Sequence, residues 1–183
     1  MNIKARINAR KILLVYYYEQ YFFLMSGENK AAITGIDKIR KIVANPGDDL
    51  EEDIDLTQVF KDGYYGDFDK EIIYIIDNYF EKFESDEIDF EYIKELWHRF
   101  EESIDPVREL VDMYATTFGY DSMDLMDRVL FILWYVEYTH LGTPKEVVLN
   151  EMVELAKRYG DESSPKLLNG IGHKIFAGLD KEK

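Results

Sequence analysis

Apolar residues recur at intervals of three and four along most of this chain. No strand-like alternation bounded by hairpin turns interrupts them, so the pattern predicts an all-α protein. Over residues 3–25, Ile7, Leu14, Tyr18, Tyr21 and Met25 define a stripe. Ile12, Val15, Phe22 and Leu24 widen it until the second half of the helix is apolar on nearly every side. Ile33, Ile36, Ile39 and Val43 predict a short amphipathic helix ended by Asn45-Pro46-Gly47, before an acidic loop at 48–53 and a turn at 63–66. Further helices are expected at 67–83, with Ile72, Ile73, Ile76, Tyr79, Phe80 and Phe83 inward, and at 89–102, on Phe90, Ile93, Trp97 and Phe100. Two more follow at 105–118, behind an Asp105-Pro106 cap, and at 122–138, behind Ser122.

The strongest signals come last. Thr143-Pro144-Lys145-Glu146 reads as an N-cap, a proline at the first helical position and a glutamate that can reach back to close a capping box. Val147, Val148, Met152, Val153, Leu155 and Ala156 then recur at helical spacing up to Gly160. Ser164-Pro165 starts a second helix on Leu167, Leu168, Ile171 and Ile175, so the motif is a helical hairpin. Within it, Asn150 and Asn169 have two readings: amides that satisfy a loop or helix end, or groups that touch a ligand. The structural reading is the better one, with Gly170 allowing the two helices to approach closely.

Composition narrows the class. At 183 residues, 46% hydrophobic and 15% aromatic, the chain is expected to bury one good core, and 1–183 is read as a single domain. It has no apolar run long enough to span a bilayer and no signal-peptide pattern, so a soluble, cytoplasmic protein is expected. Without cysteine, disulfides and thiolate zinc sites are excluded. The net charge of −15 is unevenly spread: residues 26–91 carry 7 basic and 19 acidic side chains, whereas the first 25 residues carry Lys4, Arg6, Arg10 and Lys11 against Glu19 alone. The acidity argues against non-specific nucleic-acid affinity but leaves room for a local basic face. Four such cations in isolation read as a solvated helix start, but at a helix N-terminus they oppose the macrodipole at about 0.3–1 kcal/mol each, which makes a ligand-binding reason more credible.

Catalytic chemistry finds little support. His98, His140 and His173 are scattered without metal-ligand spacing, and the carboxylates form no recognisable acid–base constellation. No phosphate loop, dinucleotide fingerprint or nucleophile elbow is present. The expectation is a non-enzyme without cofactor or metal.

The order of Pro144, Val147, Asn150-Glu151, Val153-Glu154-Leu155-Ala156-Lys157, Tyr159-Gly160 and then Ser164 to Gly170 closely resembles the C-terminal signature of the NusB family of bacterial transcription antitermination factors. The basic start, with Ala9-Arg10 before Tyr18, resembles the family's first helix. The resemblance covers residues 3–25 and 92–176 and leaves about 26–88 as an acidic helical insertion. It implies two small helical subdomains sharing a core, and a factor that binds boxA-like single-stranded RNA with the small-subunit ribosomal protein NusE. Such a factor would act indirectly on the RNA polymerase elongation complex, as a monomer or homodimer. Carried over residue by residue, it makes Lys4, Arg6, Arg10, Lys11 and Lys166 the RNA contacts, and Tyr18, Phe22 and Asp127 the partner contacts. From periodicity alone, Tyr18 and Phe22 would be plain core, and Asp127 a first-turn dipole partner.

Departures from the family pattern all fall on the RNA side. Leu167 stands where an aromatic residue is usual, Ser163 where an acid is usual, Gly172 for a leucine and Ile132 for an arginine, and Pro165 interrupts the loop. A lost base stack is worth about 1–3 kcal/mol. The alternative is therefore an interaction module whose RNA binding is weakened, or autoinhibited by the acidic insertion folding over the basic helix start. A third reading, the N-terminal domain of a ribosomal RNA methyltransferase, is disfavoured by the absence of a catalytic domain in the chain.

Overall fold

The computed structural model describes residues 2–26, 68–80, 87–116 and 119–179, and among them every regular element is helical. The helix expected on Ile33–Val43, the acidic loop at 48–53, the turn at 63–66, and the inward residues Phe83 and Phe118 lie outside the described residues. Seven α-helices are described: α1 (Ile3–Ser26), α2 (Phe68–Tyr79), α3 (Phe90–Leu96), α4 (Phe100–Tyr114), α5 (Leu125–Leu141), α6 (Lys145–Tyr159) and α7 (Ser164–Leu179). Tight 3₁₀ turns at Trp97–Arg99 and Tyr120–Ser122 precede α4 and α5.

One apolar cluster joins these helices, with α5 at its centre against α1, α4 and α6. Val129 to Trp134 and Val136 of α5 are all buried, which is why this helix is apolar nearly all round. On α1 the buried apolar set is Ala5, Ala9, Ile12, Leu13, Leu14, Tyr16, Tyr17 and Tyr21, recurring at intervals of three and four. Of the stripe expected from periodicity, Leu14 and Tyr21 are buried and Ile7 is half-buried, whereas Tyr18 and Met25 are exposed. Two apolar faces compete on this helix, and the one with small residues in its first turns is the one that packs. Tyr17 is fully buried and donates to the Leu96 carbonyl at 2.5 Å, which ties α1 to the end of α3. The same correction applies to α2: Ile72 and Ile75 are buried, while Ile73 and Tyr79 point outward.

Helix boundaries shift where packing overrides local signals. The break expected at Asp105-Pro106 falls instead at Trp97–Arg99, and Pro106 sits inside α4. An interior proline costs roughly 3 kcal/mol. The continuous burial of Phe100, Ser103, Ile104, Val107 and Val111 on one face offsets that cost. At α5 the capping side chain is Asp124, which accepts from the Met126 amide at 2.9 Å, rather than Ser122. At α6, Pro144 is itself the cap residue, with ψ 136°, and its carbonyl accepts from the Val147 and Val148 amides at 2.9 and 3.1 Å. Thr143 is displaced one residue outward, and no side-chain cap bond forms.

Candidate functional site

The five cations assigned to RNA by resemblance fall into three environments. Arg10 is inside the protein, 6% exposed. Its Nε and Nη2 donate to the two oxygens of Glu137 at 2.8 and 2.6 Å, and its Nη1 to Glu151 at 3.1 Å. Tyr92, fully buried, donates its hydroxyl to the same Glu137 carboxylate at 2.8 Å. Burial works against the guanidinium charge, but the hydrogen bond and charge of Glu137 outweigh it and raise the pKa. Burial, with the charge of Glu137, pushes the Tyr92 hydroxyl well above its ordinary value. In this conformation Arg10 holds α1 to α5 and α6 and has no edge free for a phosphate.

Lys4 and Arg6 are at the surface but engaged. Lys4 pairs with Glu87. Arg6 pairs with Asp89 at 2.9 Å and lies over the Tyr92 ring at 4.5 Å. Asp89 does two jobs, because its other oxygen accepts from the Tyr92 amide at 3.0 Å as the N-cap of α3.

Lys11 and Lys166 form the third group, with no ion-pair partner among the described residues. Lys11 reaches only Asn8 Oδ1, at 3.4 Å. Its pKa is lowered by burial and then by the like charge of Arg158. Arg158, in the last turn of α6, is therefore a member of this basic face that the linear pattern hides. It reads there as one more polar residue on a solvated side. Lys166 is exposed in the first turn of α7, across the hairpin turn from Arg158.

Beside these cations runs an apolar groove of about 400 Å³, lined by Leu14, Val15, Tyr18, Phe22, Met126 and Tyr159, with Glu19 and Tyr79 at its edge. Tyr18 and Phe22 are 36% and 48% exposed, so neither belongs to the core that periodicity alone assigns them to. Tyr79 donates to Glu19 at 2.8 Å, and that bond is the main reason its pKa is pushed up to about 12. The bond holds α2 against α1 along one edge of the groove.

Asp127 is placed differently from its expected role. It is 2% exposed, and its Oδ1 has no hydrogen-bond partner among the described residues. Burial raises its pKa, the Ser164 hydroxyl lowers it, and the charges of Asp161 and Asp124 raise it further. Ser164 has one hydroxyl proton, and Asp161 Oδ1 lies 3.2 Å from the same oxygen. Asp161 also accepts from the Ser163 hydroxyl at 2.8 Å and from the amides of Ser164 and Ser163 at 2.8 and 2.7 Å, which draws its own pKa down. Asp127 thus supports the hairpin turn from beneath instead of presenting an acid at the surface.

Asn150 and Asn169 are exposed, and among the described residues neither amide side chain has a hydrogen bond to a loop or helix end. They border a second groove, of about 420 Å³, between α6 and α7 with Lys145, His173 and Phe176. Gly170 faces open space; the close approach is at Gly172, where a Cβ would lie 2.6 Å from Leu149 Cδ1. Among the described residues no group of histidines and carboxylates could hold a metal ion, and no helix is long and apolar enough to cross a membrane.

Residues 56–175 match the model of the NusB family. That span takes in the second part of the segment set aside as an insertion and omits α1, which carries most of the assigned cations. Among curated relatives, the transcription antitermination protein NusB of Fusobacterium nucleatum is 29% identical over 93 residues, covering 51% of this chain and 58% of that one. The protein of the same name from Anaeromyxobacter dehalogenans is 37% identical over 73 residues, 40% of this chain and 51% of that one. The chain thus spans about half the length of the curated relatives it matches. A solved structure of T. maritima NusB superimposes with a TM-score of 0.51 at 20% identity, covering 93% of this chain and 89% of that one, a likeness of fold.

Proposed function

The chain belongs to the NusB family, and from that premise we propose that it is a non-catalytic transcription antitermination factor. In this reading it binds a boxA-like single-stranded RNA together with the ribosomal protein NusE, and through them acts on the RNA polymerase elongation complex to support ribosomal RNA transcription. The observation that carries the reading is the pairing of two surfaces. The exposed cations Arg158 and Lys166, with the half-buried Lys11, suit a sugar–phosphate backbone, and the adjoining groove with half-exposed Tyr18 and Phe22 suits a protein partner. Phosphate contacts position an RNA strand, and a groove that buries aromatic anchors supplies partner affinity. Asp127 has a supporting part, in holding the turn that carries Lys166.

The test is fluorescence anisotropy of a labelled boxA-type RNA against a scrambled one, with and without NusE, across a salt series. Selective binding that tightens with NusE and weakens in Lys11→Ala, Arg158→Ala and Lys166→Ala establishes the reading. Binding to NusE without selective RNA affinity overturns its RNA half. It favours instead a protein-interaction module, the alternative supported by Leu167 at the usual aromatic position and by the carboxylates that occupy Lys4, Arg6 and Arg10.

A further inference from the structure

We infer that Glu87 and Asp89 are a built-in phosphate mimic that competes with RNA for Lys4 and Arg6. The inference rests on the RNA-binding reading above and concerns how that same basic face is regulated.

The carboxylates are not casual neighbours of the cations. The segment from Glu87 to Asp89 is strapped across the first two turns of α1 by its backbone: the Glu87 carbonyl accepts from Asn8 Nδ2 at 3.0 Å, and the Asp89 amide donates to the Ala5 carbonyl at 3.2 Å. Ile88, between them, is buried at 8%. With the strap so fastened, Glu87 and Asp89 meet Lys4 and Arg6 across 83 positions of sequence. Each carboxylate accepts a charge-assisted hydrogen bond of the kind a phosphate oxygen would accept.

The pairs are also weak enough to yield. Lys4 is 68% exposed, Arg6 18%, and their partners 27% and 21%. An exposed pair such as Lys4–Glu87 contributes little and is screened by salt, so a strand of phosphates displaces it first, and the more enclosed Arg6–Asp89 pair yields second. Arg10, enclosed with Glu137, cannot be released in this way. The device is thus graded: Lys11, Arg158 and Lys166 accept RNA at once, and Lys4 and Arg6 join only when the RNA outcompetes two internal acids. It gives the acid-rich segment ending at Asp89 a part in setting RNA affinity.

The experiment is the variant Glu87→Gln/Asp89→Asn, which removes both charges. Asparagine keeps the N-cap of α3, being as good a cap as aspartate. Binding of a labelled single-stranded boxA-type RNA to the full chain is measured over a salt series, beside wild type and a charge-matched control, Glu101→Gln/Glu109→Gln, whose acids are exposed on α4. The expected result is a gain of roughly tenfold at about 50 mM salt and a salt slope steeper by about 1.4, the value for two more phosphates on a single strand. The control shows neither change, and adding Lys4→Gln/Arg6→Gln to the variant abolishes both. Wild-type RNA binding that is selective but unchanged in the variant overturns the mimic and leaves the RNA reading standing. A gain matched by the control also overturns it, and an absence of RNA binding in every protein overturns both.

Discussion

Arg10 and Glu137, 127 positions apart, meet through two parallel N–H···O bonds of 2.8 and 2.6 Å inside the protein. The pair joins the first helix to the central one, and Tyr92 and Glu151 complete it. Removing one member of a buried, hydrogen-bonded pair leaves the other charge without a partner, at about 3–5 kcal/mol. Arg10→Met and Glu137→Leu are each expected to destabilise by that amount. The double variant is expected to cost far less than the sum, because neither charge is stranded. Urea denaturation of the three variants measures the coupling; additive costs would show that the pair does not act as a unit.

The hairpin turn has little tolerance for a side chain at Gly160. Its backbone is ordinary extended chain, but a Cβ there would lie 2.6 Å from Ser164 Cβ and 2.9 Å from the Ala156 carbonyl oxygen, neither of which can swing away. Gly160→Ala is expected to cost about 1–3 kcal/mol. In a chain of this size that lowers Tm by about 2–4 °C per kcal/mol. Gly142→Ala is the comparison: it meets open space, and its φ of 60° makes the penalty a backbone one of about 1 kcal/mol. A thermal melt in which Gly160→Ala is the milder change would contradict the close approach.

Asp127 and Asp161 give the hairpin opposite responses to acid. The pKa of Asp127 is raised by burial, so its charged form disfavours the fold above that raised pKa, and the penalty fades as pH falls toward the unfolded value. The pKa of Asp161 is lowered by its bonds from Ser163 and Ser164, so its contribution is present above the ordinary carboxylate pKa and is lost as pH falls through the lowered one. Asp127→Asn is therefore expected to stabilise at pH 7 relative to wild type, with the difference shrinking through the mildly acidic range. Asp161→Asn is expected to destabilise at pH 7, again with a difference that shrinks in acid. Denaturation midpoints collected against pH decide both signs.

Tyr18 and Phe22 separate binding from stability. Because both are substantially exposed, Tyr18→Ala and Phe22→Ala are expected to change folding stability by within about 0.5 kcal/mol. If the groove receives a protein partner, the same changes weaken that complex by about 2 kcal/mol or more each, roughly thirtyfold. Calorimetric titration with NusE beside thermal melts tests this. Large Tm losses would return the two residues to the core.

The α-helical class, the C-terminal hairpin and the family all follow from the linear pattern, because helical period and turn residues are local properties of a chain. Even Gly160 as the stop of α6 is readable that way. The choice between two apolar faces of α1 is not local: it depends on which helices arrive to pack on it, and the structure buries Ala9 and Tyr17 while leaving Tyr18 and Phe22 at the surface. Pro106 reads as a helix start until the burial of Phe100 to Val111 shows a face worth keeping continuous. Most of all, four basic residues in the first eleven look alike in sequence. The environments of Lys4, Arg6 and Arg10 are set by acids 83 or more positions away, so only the folded chain makes Arg10 a core strut, Lys4 and Arg6 engaged cations and Lys11 one without an acid partner among the described residues. Sequence determines which charges a protein has, and long-range packing decides which of them water or a ligand can reach.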